Sequence, residues 1–107
     1  MRSRSENLMS AILQARRALA TRDLDGFEAA MDRASGCAID LCSRFDPSRG
    51  AFCAHLYCII ELVIDRFVEA RFERDDASLV EAARLCVPLC PVDDVTREAS
   101  ESAAEGR

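Results

Sequence analysis

Apolar residues recur along this chain at intervals of three and four, and that spacing predicts four helices. In the first, Leu8, Ile12, Ala15 and Leu19 repeat at helical spacing with Met9 and Leu13 alongside. Ser3 followed by Glu6 fits a capping box, so the helix starts after Ser3 or Ser5. Asp23 is a suitable N-cap for the second helix, whose seam is Leu24, Phe27, Met31, Ala34, Ala38, Leu41 and Phe45. Gly26 and Gly36 interrupt that helix, and Gly36 reads as a place where a neighbouring helix comes close. Asp46-Pro47-Ser48-Arg49-Gly50 is the one strong turn cluster, and Pro47 ends the helix before it.

The third helix, from Arg49 or Gly50 to Arg74, has the widest apolar arc. At about 100° per residue, Phe52, Leu56, Ile59, Ile60, Val63, Ile64, Phe67 and Ala70 cover roughly half the circumference. Glu61, Asp65, Glu69 and Glu73 line the other side. Such a helix needs neighbours on two flanks. After Asp75-Asp76-Ala77, Ser78 with Glu81 forms a second capping box, and Leu79, Val80, Ala82, Ala83, Leu85, Cys86 and Val87 make a fourth helix that Pro88 and Pro91 kink or stop. Residues 1–91 thus read as one helical domain. Residues 92–107, rich in Ser, Ala and acids without an apolar stripe, read as a frayed helix or disordered tail. Short connections predict an all-α, antiparallel, up-and-down four-helix bundle with the long third helix central.

Composition supports packed helices, since half of the 107 residues are apolar while aromatics make up only 6%. A net charge of −5, with every cation an Arg and none in a long run, argues against a nucleic-acid surface. No segment has the character of a secretory signal or a membrane span, so the expectation is a cytoplasmic protein that inserts in no membrane.

Chemistry-bearing residues are sparse. The six cysteines form three pairs, Cys37/Cys42, Cys53/Cys58 and Cys86/Cys90, each four or five positions apart within a helical pattern, and include no zinc knuckle of the C-x2-C type. They read as small buried hydrophobes, with a cysteine-dependent redox or metal-binding regulator as the alternative. His55, the single histidine, lies at i,i+3 from Cys58 without an evident oxyanion hole or orienting group. No catalytic residue, metal site or cofactor is predicted. What remains is the second apolar row of the third helix, Cys53, Tyr57, Ile60, Ile64, Val68 and Phe72, which suits a groove for an amphipathic helix of another protein.

The stretch from Gln14 to Ala83 resembles the flagellar secretion chaperone family. The resemblance rests on Gln14-Ala15-Arg16-Arg17-Ala18-Leu19, the Arg22-Asp23-Leu24-Asp25-Gly26 turn, the Ala34 to Leu41 run and the Asp46 to Gly50 loop. It continues through Leu56-Tyr57, Arg66-Phe67-Val68-Glu69-Ala70, Asp75 and Leu79. Both ends diverge. Ser5-Glu6-Asn7-Leu8 stands near where the family has a Leu-Tyr-Asp-Gly-like signature, and Pro88 and Pro91 replace the usual terminal tryptophan. The resemblance implies a chaperone that holds the C-terminal helices of flagellin, or of a similar secreted filament subunit, unpolymerised until export. It also implies contact with the export apparatus. Tyr57, Ile60, Ile64, Phe67, Val68 and Phe72 are the partner-binding candidates. A structural helical homodimer is a further alternative.

Overall fold

The protein is described here from a computed structural model, in which residues 3–89 are described. Four helices account for most of it: α1 (Arg4–Ala20), α2 (Leu24–Arg44), α3 (Ala51–Glu73) and α4 (Asp76–Cys86). A single 3-10 turn, Pro47–Arg49, stands between α2 and α3. The all-α bundle expected from the spacing is what forms. No helix among the described residues is long and apolar enough to cross a membrane. The expected kink or stop at Pro91, Cys90, and the tail over 92–107 lie outside the described residues.

Local chemistry sets the helix ends. Ser3 accepts a hydrogen bond from the Glu6 amide at 3.1 Å, and Asp23 accepts one from the Gly26 amide at 3.0 Å, each relieving an unpaired N–H of a first turn. At the end of α1 the Asp23 amide reaches back to the Ala18 carbonyl at 2.8 Å and the Arg22 amide to Leu19 at 3.1 Å. That is a Schellman closure, with Arg22 at φ 58° where glycine is the usual occupant. Asp46 closes the next connection by accepting from both the Ser48 amide (2.8 Å) and the Ser48 hydroxyl (2.7 Å). These bonds hold the Asp46 carboxyl below its ordinary range, the amide contributing most. α4 is capped differently from expectation: Asp75 accepts from the Ala77 amide at 2.9 Å, and Ser78 lies inside the first turn, buried. An Asp one position before the helix outcompetes the more distant Ser because its carboxylate also meets the positive end of the helix dipole.

The three described glycines sit in three different settings. A Cβ at Gly26 would sit 2.9 Å from Asp23 Cγ and closer still to its Oδ2, so Gly26 makes room for the cap of its own helix. Gly50, at φ 132° and ψ 176°, sits in a region that side-chain-bearing residues rarely enter, and it starts α3. Gly36 is exposed, and a Cβ there would meet nothing within 4 Å, which corrects the expectation of a close helix approach.

α1 packs chiefly on α2 and α3 on α4, while α1–α4 and α2–α3 contacts close the ring. Two cross-links per seam give the directions. Ser5, near the start of α1, donates to the carbonyl of Leu89 at 3.2 Å, and Arg16, near its end, pairs with Asp76 at 2.9 Å. α1 and α4 therefore run antiparallel. Arg71 of α3 pairs with Asp32 of α2, and Glu61 faces Cys42 closely enough to act on its thiol, so α2 and α3 are antiparallel as well.

The core is built from Leu8, Ile12, Ala15, Phe27, Met31, Ala34, Ala38, Leu41 and Phe45 of the first two helices with Leu79, Ala82 and Cys86 of the fourth. α3 adds Leu56, Ile60, Val63, Phe67 and Ala70. The five span only about 80° of arc, narrower than the half-circumference the apolar pattern predicts. Phe52 departs most, being 57% exposed although it shares their face. α4 has 11 residues against 23 in α3, so among the described residues it runs out before the first turn of α3. Leu24, expected in the seam of α2, is likewise 42% exposed at the helix end.

The glycine geometry predicts three outcomes of one substitution. Gly36→Ala stabilises by up to about 1 kcal/mol, as in any open helix interior. Gly26→Ala destabilises by about 1 kcal/mol through the lost cap, and turns stabilising in an Asp23→Ala background. Gly50→Ala costs about 1–3 kcal/mol. Urea melts measure all three. The same assay checks Asp46. A carboxyl held low contributes stability above its unfolded pKa and loses it as pH falls through the folded one. Asp46→Ala is therefore destabilising at neutral pH, and its deficit closes as pH drops below the ordinary value of 3.8.

Candidate functional site

The partner-binding candidates on α3 divide by depth. Ile60 is 0% and Phe67 2% exposed, both within the core, so neither presents surface to a partner. This corrects the sequence reading, and the reason is angular: both lie within the strip of about 80° that faces the other helices, Ile60 at its edge next to the outer row. Tyr57 and Ile64 are half-buried, with Ile64 packed against the rim of the core. Val68 is 62% and Phe72 89% exposed. These four residues recur at intervals of seven, four and four, so they form a continuous row on the outer flank of α3.

The row continues onto α2 through a residue the seam pattern passed over. Ile39 is 64% exposed. It lies between Asp32, which meets Arg71, and Cys42, which lies within electrostatic reach of Glu61. Antiparallel register then sets Ile39 level with Ile64 and one turn from Val68. Its sequence signal is its misfit: within Ala34 to Leu41 it is the large aliphatic side chain that falls off the three-four spacing of the α2 seam. Leu62 and Phe52 are also exposed on α3, but Leu62 points to the opposite flank and Phe52 to the helix end.

Charge borders this apolar row. Glu61 and Asp65 lie beside it on α3, and Glu28 and Asp32 beside it on α2, all exposed. Arg71 answers two of them at once, with Nε 3.8 Å from Glu28 and its guanidinium paired to Asp32. Glu69, on the far side of α3, is occupied by Arg66 at 2.9 Å.

The remaining chemistry is dispersed. His55 and Cys58 are both exposed on α3. Among the described cysteines Cys86 alone is buried, whereas Cys37, Cys42 and Cys53 are half-buried, so the reading of all of them as interior hydrophobes is too simple. Burial pushes the Cys37 thiol up, with Asp40 adding and Arg33 opposing, and burial with Glu61 does the same for Cys42. Both changes lower the thiolate fraction at neutral pH and with it nucleophilicity. Among the described residues no group of three or more His, Cys, Asp and Glu side chains converges as metal ligands do. A hollow of about 640 Å³ opens at one end of the bundle beside Arg16, Arg17, Arg74 and Asp76, where Arg16 and Asp76 already satisfy each other through two bonds of 2.9 and 3.3 Å.

No protein-family model, no curated protein and no solved structure matches the chain. The family resemblance therefore stands on the quoted residues, and the site on its geometry.

The division by depth predicts opposite results along one row. Ile60→Ala destabilises the fold by about 2–5 kcal/mol, whereas Val68→Ala stays within about 0.5 kcal/mol of the parent. Thermal or urea unfolding of the two variants measures the difference.

Proposed function

We propose that this protein works by binding, as a cytoplasmic chaperone whose α2–α3 face receives the apolar side of an amphipathic helix from another protein. The observation that carries the reading is the exposure of Val68 and Phe72, in line with half-buried Tyr57 and Ile64 and level with exposed Ile39. Large apolar side chains that protrude together from an otherwise charged surface mark an interaction site. A client helix laid along the row would cover them with contacts at three- and four-residue spacing, the helix-in-groove mode. Bound in this way, the apolar face of the client is unavailable for self-assembly.

The resemblance to flagellar secretion chaperones supplies the class of client: the C-terminal helical region of flagellin or of a similar exported filament subunit. Tyr57, Ile64, Val68 and Phe72 remain as contact residues, Ile39 joins them, and Ile60 and Phe67 hold the bundle from within. Docking at an export apparatus would follow from the same resemblance.

Fluorescence anisotropy with a labelled flagellin C-terminal helical peptide tests the reading. Val68→Asp and Phe72→Asp, each at an exposed position that leaves the fold intact, weaken binding by about tenfold or more. Unchanged affinity in both folded variants contradicts the assignment of this face.

A further inference from the structure

The charges that border the apolar row do more than keep it soluble. Resting on the reading of the α2–α3 face as a helix site, we infer that its occupant is a basic amphipathic helix, one whose apolar stripe is edged by Arg or Lys. Glu28 and Asp32 line one margin and Glu61 and Asp65 the other, all four exposed, with Arg71 the cation among the described residues of these two margins. Arg71 is engaged by Glu28 and Asp32 together, so among the described residues the α3 margin is left without a local counter-charge. An incoming helix with cations beside its apolar stripe places them against Glu61 and Asp65. One edged with acids meets like charge on both sides, an arrangement that penalises the wrong partner more than it strengthens the right one.

The same margins argue against the other occupants this face could have. A second copy, docked face to face about a two-fold axis, brings the acidic margins of one protomer against those of the other. The chain's own segment 92–107 carries Asp93, Asp94, Glu98, Glu101 and Glu105 against Arg97 and Arg107, and so has the same sign as the face. A separate basic helix is the occupant that matches both the apolar row and its border.

Two synthetic helices of about 18 residues, identical along a Leu/Ile/Phe stripe and flanked by Arg/Lys in one and Glu in the other, test this on the full chain. A third peptide with the basic composition but scrambled order controls for attraction without an apolar face. At low salt the basic helix binds about tenfold tighter than the acidic one, and the gap narrows as salt rises above about 0.15 M. Glu61→Gln with Asp65→Asn reduces the preference without abolishing binding. Equal binding of both helices, or a preference for the acidic one, overturns the inference and leaves the helix-site reading standing. Binding of the scrambled peptide as tightly as the ordered one also overturns it, since the charge would then act without the row. If neither ordered helix binds, the helix-site reading fails and the inference with it. A dimer by light scattering that Val68→Asp dissociates makes a second copy the occupant and likewise overturns it.

Discussion

A helix with two neighbours can bury only the strip that faces them, and α3 has more apolar surface than that strip can hold. Its principal partners are α2 and α4, with α1 across the diagonal of the ring. Leu56, Ile60, Val63, Phe67 and Ala70 fill the strip, and each is at most 3% exposed. Burying such side chains stabilises by about 1.5–3 kcal/mol each for the larger ones, so they dictate how α3 is rotated about its axis. Once that rotation is set, Val68 and Phe72 are carried to the surface, and no local adjustment returns them without withdrawing Ile60 and Phe67 from the core. The exposed row is a consequence of the core.

The seam between α2 and α3 shows how the ring accommodates this. One guanidinium, Arg71, joins α3 to Glu28 and Asp32 near the α3 C-terminus, while the middle of the seam is bordered by Ile39, Ile64 and Cys42, of which Ile39 lies largely in solvent. Exposed ion pairs of this kind are worth about 1 kcal/mol or less, so Arg71 sets register more than it supplies stability. The opposite seam is closed by Ser5 to Leu89 and by Arg16 to Asp76, and the apolar side chains between them, Leu8, Ile12, Leu79 and Ala82, are fully buried. Both seams bury their core residues, and α1 and the end of α4 also expose Leu13 and Val87, so what sets the α2–α3 side apart is its apolar row with an acidic border.

Much of this was legible in the residues. Ser3 and Asp23 as caps, the Asp46 to Gly50 turn, and the seam of α2 follow from local chemistry that operates over three or four positions, and the helices begin and end where that chemistry directs. Depth on α3 was less legible. Periodicity says which residues share a face, but the width of the buried strip depends on how many helices meet it and how far each extends. Phe52 shares the face of Leu56 and is exposed because, among the described residues, α4 is half as long as α3. Ile60 belongs to the outer row by spacing alone, yet the rotation of α3 takes it inside. Ile39 was passed over for the complementary reason. It breaks the pattern of its own helix, and such a misfit becomes informative only when the neighbouring helix is known to carry an apolar row at the same level. Asp75 in place of Ser78 as the cap of α4 is a smaller case, where two good capping residues compete and the carboxylate wins on charge.

The central claim is the proposal that the α2–α3 face of this bundle takes a helix. Methyl NMR on the intact chain, titrated with a basic amphipathic peptide, tests it most directly. The account predicts that the methyl signals of Ile39, Ile64 and Val68 shift together with one affinity while those of Leu8, Ile12 and Leu79 between α1 and α4 stay in place. Shifts centred on the α1–α4 side, with Ile39, Ile64 and Val68 unmoved, would contradict it.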